Sequence, residues 1–160
     1  MLKWAFAAIL CAGCASAPPL QTITLPTVAY PFGVATLMRD DVAACSETIL
    51  SRGWGGRANF ERAAFLHLSD DGAFRCDVWP ADFQFHRAQW WGATPDGTAA
   101  LIHSHPRTLP EPSEQDVREA QRLGVPVIVV TPESIAMVMP RDGQIVRVPR
   151  VAAVAVAHRY

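Results

Sequence analysis

The residues with the clearest chemical potential are two histidines and an aspartate in the second half of the chain. His103 and His105 are separated by one residue, and Asp116 follows later. Side chains at positions i and i+2 of a strand point the same way, so the two imidazoles can converge on one point. Imidazole and carboxylate groups bind zinc, and three protein ligands leave one position open for water, as in catalytic zinc sites. These residues predict a catalytic centre with one zinc ion (Zn2+) per chain.

Two predicted elements would position these ligands. The apolar run Ala99–Ile102 directly precedes His103 and predicts a buried strand that ends at the histidines. Residues 117–123 predict a helix, which Gly124 would end. Asp116 reaches the histidines if the start of this helix folds back over the end of the strand.

The order of residues around these ligands resembles a known signature. His103, His105 and Pro106 form His-x-His-Pro, and after six residues Ser113 and Asp116 form Ser-x-x-Asp. This pattern is similar to the metal-binding signature of the JAMM (MPN+) metallopeptidases, a family of zinc isopeptidases and deubiquitinase-like enzymes. The resemblance implies hydrolysis of a peptide or isopeptide bond by zinc-activated water. It also implies the curved, cytidine-deaminase-like sheet of the JAMM/MPN fold.

The general base is a choice between two glutamates. The family uses a glutamate well before the histidines, at the start of a strand, to move a proton. Glu61 opens residues 61–66, a stretch similar to the family's glutamate followed by small and then apolar residues, although Ala64 stands where glycine is usual. Glu47 falls on the polar face of a predicted helix, so we expect it in solvent. We favour Glu61, with Glu47 as the alternative.

Ser113 has two predicted roles. The resemblance implies that its hydroxyl supports the oxyanion of the transition state together with zinc. Ser113 and Asp116 are also spaced as in a capping box, in which Ser113 is the N-cap of the helix. A capped helix beside a polar strand edge would explain these residues without a metal. The two roles are nevertheless compatible, because a ligand at a helix start gains a fixed backbone.

Composition restricts the broad class of protein. The 160 residues suffice for one domain with a proper core, and 50% hydrophobic against 18% charged residues is typical of a folded chain. The net charge is −1 and no basic cluster stands out, so we expect no nucleic-acid partner. Two alternatives to a peptidase are a non-catalytic envelope lipoprotein that uses this fold as a binding module and a zinc hydrolase acting on a small amide.

The N-terminus predicts export. A positive start is followed by a short apolar run at residues 4–10 and then by small residues, as in a secretory signal peptide. Ala12-Gly13-Cys14 resembles a bacterial lipobox, although Cys11 stands where an aliphatic residue is usual. Residues 1–14 would then be the signal peptide, with a lipid anchor at Cys14. Cleavage after Ala17, with secretion of a soluble protein, is the alternative.

The predicted mature chain has two parts. The proline-rich residues 15–33 predict an extended tether, and residues 34–160 predict the JAMM/MPN-like metallopeptidase domain. We expect the protein in the cell envelope, on the periplasmic side of a membrane, or secreted. A polypeptide or peptide would be its substrate.

The remaining patterns predict an α/β fold with a mixed sheet and two principal helices. Asp40–Arg52 predicts the first helix, capped by Asp40 or Asp41. Strands are predicted at 34–38, 63–68, 73–78, 125–130, 135–139 and 145–148, and residues 151–157 predict either a strand or a helix. Cys45 and Cys76 form either a disulfide or two free thiols.

Overall fold

The computed structural model describes residues 32–53, 55, 60–80, 88, 90, 93–107 and 109–150. Within these residues the chain forms three helices and six strands: α1 (Val34–Leu37), α2 (Asp40–Arg52), β1 (Ala63–Leu68), β2 (Phe74–Val78), β3 (Thr98–Ser104), α3 (Glu114–Leu123), β4 (Val127–Val130), β5 (Ser134–Val138) and β6 (Ile145–Pro149). The predicted signal peptide, residues 15–31 of the tether and the element predicted at 151–157 lie outside the described residues. None of the described helices has the length and hydrophobicity needed to span a bilayer.

The six strands form one sheet in the order β2-β1-β3-β4-β5-β6. β3 and β4 are parallel, whereas all other neighbouring strands are antiparallel. The predicted α/β architecture with a mixed sheet is therefore confirmed. Parallel neighbours need a crossover connection, and α3 lies in it. Because β4 is an interior strand, all of Val127–Val130 is buried.

Each face of the sheet has its own core, because side chains alternate along a strand. One face carries Ala100 and Ile102 of β3 and packs against α1 and α2. The opposite face carries Leu101 and packs against Ala120 of α3. His103 follows Leu101 by two residues and points to this second face. The start of α3 therefore lies on the same side of the sheet as the first histidine.

The helix predicted at 40–52 is confirmed as α2, but its predicted cap is wrong. Arg39 is the N-cap, and Asp40 is already helical. The carboxylate of Asp41 is used elsewhere, because it accepts hydrogen bonds from Arg39 Nη2 at 2.6 Å and from the backbone N–H of Phe74 at 2.8 Å. Asp41 thus ties the start of α2 to β2.

The strand predicted at residues 34–38 is wrong, because these residues form the short helix α1. A brief apolar run fits either a strand or a helical turn, and tertiary packing decides between them. Here one turn buries Thr36 and Leu37 against β5 and β6 and leaves Val34 exposed. The Thr36 hydroxyl also accepts a hydrogen bond from the Gly33 backbone N–H at 3.3 Å, which supports the turn.

Cys45 and Cys76 form a disulfide, so the structure contains the first of the two predicted alternatives. The bond joins α2 to β2, which is an edge strand of the sheet. Both residues pack in the core on the face opposite α3. The disulfide therefore stabilises the scaffold behind the histidines.

Candidate metal centre

Strand pairing places Glu61 next to His103. β1 and β3 are antiparallel neighbours, and Ala63 pairs with His103. Glu61 lies two residues before Ala63, so its side chain points to the same face. Glu61 Oε2 lies 3.7 Å from His103 Nδ1, and both residues are buried. The distance is too long for a hydrogen bond and leaves the carboxylate available to another group.

Ser104 fixes this pairing at the end of β3. Its backbone N–H donates to the Arg62 carbonyl at 2.8 Å, and its hydroxyl accepts from the Arg62 backbone N–H at 2.9 Å. Because Ser104 points to the face opposite His103, it supports the site without lining it. Sequence analysis missed this role, and the only available signal was its position between the two histidines.

The start of α3 brings Asp116 to the histidines. Ser113 is the N-cap of α3 and forms the predicted capping box with Asp116. Asp116 Oδ2 accepts from the Ser113 backbone N–H at 2.6 Å and from its hydroxyl at 2.8 Å. Asp116 Oδ1 lies 2.9 Å from His103 Nε2, and Oδ2 lies 3.6 Å from His105 Nε2. One carboxylate therefore closes the cap and faces both imidazoles.

His105 lies just beyond β3 and is oriented by a backbone carbonyl. Its Nδ1 atom lies 2.8 Å from the Leu109 oxygen. Since a carbonyl can only accept, Nδ1 carries the proton and the lone pair of Nε2 faces Asp116. The ring centroids of His105 and His103 are 4.8 Å apart. The two imidazoles thus converge as predicted, although the second follows the strand end.

The donor atoms fit a metal ion. His103 Nε2 is buried and forms no hydrogen bond within the described residues, although Asp116 Oδ1 is only 2.9 Å away. Ligand atoms of a tetrahedral zinc site lie about 3.3 Å apart, since each is about 2.0–2.1 Å from the ion. The separation of 2.9 Å between Asp116 Oδ1 and His103 Nε2 is somewhat shorter than that value, whereas it is the capping oxygen Oδ2 that lies 3.6 Å from His105 Nε2. Among the described residues, the three whose single donor atoms all lie within 4.8 Å of one another are Glu61, His103 and His105; Asp116 is outside this set and adjoins it through His103.

Electrostatics favour a positive charge at this point. Burial alone would lower the pKa of His103, but the carboxylates of Asp116 and Glu61 raise that pKa to about 10. Burial and the neighbouring His103 lower the pKa of His105. Burial would raise the pKa of Asp116, whereas His103 and Ser113 hold it well below its usual value. A proton on His103 or a divalent cation can supply the charge that two buried carboxylates require.

The two candidate glutamates lie in different parts of the fold. Glu61 is only 8% exposed and lines the cleft beside His103. Glu47 is exposed on α2, which packs on the opposite face, and it forms an ion pair with Arg150. The structure thus brings Glu61, and not Glu47, to the predicted ligands.

The cluster opens into a narrow cleft of about 90 Å³. Ser113 lines it together with side chains that sequence analysis missed, among them Trp79, Gln115 and Glu119. Glu119 lies three residues after Asp116, on the same side of α3, so helical spacing was a usable signal for it. Trp79 had no such signal, because it follows β2 and reaches the cleft only through the folded sheet.

Comparison with known proteins supports the resemblance found in the sequence. The chain gives no significant match to curated proteins or to solved structures. A family model described as prokaryotic homologs of the JAB domain matches residues 55–147, which is more than half of the chain. This range contains the glutamate, both histidines and the capping box, and the JAB/MPN assignment confirms the expected family and fold. The chain therefore belongs to the prokaryotic homologs of the JAB domain.

Proposed function

We propose that the protein is a zinc-dependent hydrolase that cleaves a peptide or isopeptide bond in the cell envelope. The observation that carries this proposal is the buried cluster around His103 Nε2, a nitrogen without a hydrogen bond among the described residues. Asp116 Oδ1 lies 2.9 Å from this nitrogen, and donor atoms of His105 and Glu61 lie within 4.8 Å of a ring nitrogen of His103, so the cluster supplies the donor types of a zinc site. Membership of the JAB family supports the same chemistry.

Three side chains would hold the ion, and each is fixed by a different contact. His103 would bind through Nε2 and is carried by β3, whereas Nε2 of His105 is presented by the hydrogen bond to the Leu109 carbonyl. Asp116 would bind through Oδ1, because Oδ2 already accepts two hydrogen bonds from Ser113. A zinc ion held there would lower the pKa of a bound water and polarise the substrate carbonyl.

Glu61 would act as general base and then as general acid. Its Oε2 atom lies 3.7 Å from His103 Nδ1, without a hydrogen bond, and one of its oxygens lies within 4.8 Å of a nitrogen of each histidine, so that carboxylate could accept the proton of the attacking water. The same oxygen can return the proton to the leaving amine. Burial in the narrow cleft keeps bulk water away from this transfer.

Ser113 would support the oxyanion through its hydroxyl. In the structure this hydroxyl donates to Asp116 Oδ2, so it must turn toward the substrate to take this role. The backbone N–H of Ser113 also donates to Oδ2 and would keep Asp116 in place during that rotation. Donors positioned where negative charge develops stabilise the transition state.

Location in the cell envelope rests on two independent features. The predicted lipobox at Cys14 would anchor the mature chain to a membrane. The disulfide between Cys45 and Cys76 is consistent with an oxidising compartment outside the cytosol. The envelope setting favours a polypeptide or peptide of that compartment over a cytosolic protein modifier.

The decisive experiment combines metal content with hydrolysis. Purified protein should contain about one zinc ion per chain, and it should cleave members of a peptide library. His103→Ala should release the metal and abolish cleavage while the domain stays folded, because the two cores lie elsewhere. The exposed Glu47→Gln provides a matched control that should change neither. A folded wild type that binds no metal would refute the proposal and favour a binding module.

Acylation is tested separately. Cys14→Ser should remove lipid labelling and membrane retention. If the variant is still labelled and retained, the lipobox interpretation is wrong and cleavage after Ala17 gains support.

A further inference from the structure

A second cavity adjoins the cleft of the proposed metal centre. Its volume is about 410 Å³, within the range of about 300–1,000 Å³ that is typical of ligand sites. Trp79, Leu101, Gln115 and Glu119 line both the cleft and this cavity, so the two spaces lie side by side. A chain held at the metal centre can therefore extend into it.

Three aromatic rings form one wall of this cavity. Ring centroids of Phe65 and Trp79 are 5.0 Å apart, those of Phe65 and Trp90 are 5.1 Å apart, and those of the two tryptophans are 5.3 Å apart. Trp90 is fixed by a hydrogen bond from its indole N–H to the Ala93 carbonyl at 2.9 Å, yet 36% of its surface is exposed. This pre-ordered, partly exposed ring cluster offers a large apolar surface.

The described residues of the cavity lining present no unpaired charge. Among the described residues that line the cavity, the charged side chains are Glu119 and Arg122. They bond to each other across one helical turn, with Arg122 Nη2 2.6 Å from Glu119 Oε2. Since this pair is internally neutralised, the cavity favours an uncharged occupant.

The position of the cavity fixes which part of a substrate would enter. Leu101 lies in the shared wall two residues before His103 on β3. Two residues of a strand span roughly 7 Å, and an extended peptide has the same rise per residue. The occupant is therefore a side chain one or two residues from the bond at the metal centre.

We propose that this cavity, lined by Phe65, Trp79 and Trp90, is a specificity subsite for a large apolar or aromatic side chain of the polypeptide substrate. The inference rests on the proposed function, because it places the scissile bond at the metal centre. It names the class of peptide that the enzyme prefers: one with an aromatic or large aliphatic residue flanking that bond.

Binding tests the subsite without turnover. Zinc-loaded Glu61→Gln protein is titrated calorimetrically with blocked hexapeptides that differ only in a single residue, Phe, Leu, Ala or Lys, placed at each position next to the central bond. We expect the Phe peptide to bind at least about tenfold more tightly than the Ala or Lys peptide at one of these positions. In the same background, Trp90→Ala should remove this preference, whereas Trp90→Phe should keep most of it. Ile145→Ala, an exposed apolar residue on β6, is the matched control and should keep it fully.

The outcomes separate the two proposals. Equal affinity for all four peptides, or a preference that survives Trp90→Ala, would overturn the subsite. Hydrolysis by the wild type is measured in parallel and reports on the proposed function alone. Selective binding without hydrolysis would support the cavity as a site for an apolar side chain of a bound peptide and would count against the hydrolase.

Discussion

Asp116 should serve two separable functions, as a helix cap and as a metal ligand. Its Oδ2 atom accepts two hydrogen bonds from Ser113, and its Oδ1 atom faces His103. Asp116→Asn keeps an oxygen that can accept from Ser113 but loses the negative charge that a ligand supplies. Ser113→Ala removes the hydroxyl of the cap and leaves the carboxylate. The two variants should therefore fail in different assays.

The expected magnitudes follow from linkage. At free zinc 100 times the wild-type Kd, the metal stabilises the folded state by about 2.7 kcal/mol. Even changes in residues that only support metal ligands weaken affinity about 10–100-fold, so loss of a charged ligand should weaken it at least 100-fold. At the same zinc concentration Asp116→Asn would then gain only about 0.4 kcal/mol. The zinc-induced stabilisation of Asp116→Asn would thus be smaller than that of the wild type by about 2.3 kcal/mol, which corresponds to roughly 5–9 °C in Tm for a chain of this size.

The assay is thermal unfolding followed by circular dichroism, with zinc and with a chelator. The quantity compared is the zinc-induced rise in Tm, which cancels changes in the metal-free baseline. Ser113→Ala should lower the free energy of unfolding by about 1 kcal/mol with zinc and with the chelator. Because the backbone N–H of residue 113 still donates to Asp116 Oδ2, this variant should keep more of the zinc-induced rise than Asp116→Asn does. Glu114→Gln, at an exposed acid in the same helical turn, is the control for charge and should keep both. If Asp116→Asn keeps the full zinc-induced rise, then Asp116 is only a cap and the ligand assignment fails.

Three further predictions concern the base and the scaffold. Glu61→Gln should retain metal and fold but lose roughly two to four orders of magnitude in kcat. Glu47→Gln should retain activity, and an equal loss of kcat in both variants would exclude Glu61 as the base. The Cys45–Cys76 disulfide spans a sequence separation of 31, and its reduction should lower the free energy of unfolding by about 3.7 kcal/mol. Urea titrations measure this change, and the variant with alanine at both positions should not respond to reductant. Burial would raise the pKa of Asp41, but Arg39 and backbone N–H groups lower that pKa in the folded state. The Asp41 carboxylate therefore stabilises the fold above about pH 3.9, the pKa of an unfolded aspartate, and this stabilisation is lost as the pH falls through the lower pKa of the folded state. The stability difference between wild type and Asp41→Asn should therefore shrink in acid, and a constant difference would contradict this account.

The local part of the site was predictable from the sequence. His103, His105 and Asp116 lie within a short stretch, where strand alternation and helix capping determine their directions. The position of Glu61 was harder to predict. Glu61 lies near His103 only because Ala63 of β1 pairs with His103 of β3, and these strands are far apart in the sequence. A glutamate before a predicted strand suggested the choice, and only the register of the sheet brings it to the histidines.

Other features were not predictable because non-local packing determines them. The hydrophobic pattern of residues 34–38 is too short to distinguish a strand from a helix. In the folded protein, residues 34–37 form a helix that packs against β5 and β6. The aromatic wall joins Phe65 of β1 with Trp79 and Trp90 from a later connection. Each is an ordinary apolar residue in the sequence, and their common surface exists only after the sheet forms.

The separate anchoring of the three proposed ligands has a consequence for how the metal would be exchanged. His103 is held by strand pairing, His105 by the Leu109 carbonyl and Asp116 by the helix cap, and none of these contacts involves the ion. Small zinc modules fold only when the metal arrives, so chelation denatures them. The proposed ligands are instead held by protein contacts, so metal binding would avoid an ordering entropy of about 0.5–1.5 kcal/mol for each mobile side chain. A chelator should therefore empty the site reversibly in a folded protein, which allows replacement by cobalt and spectroscopic study of the coordination sphere.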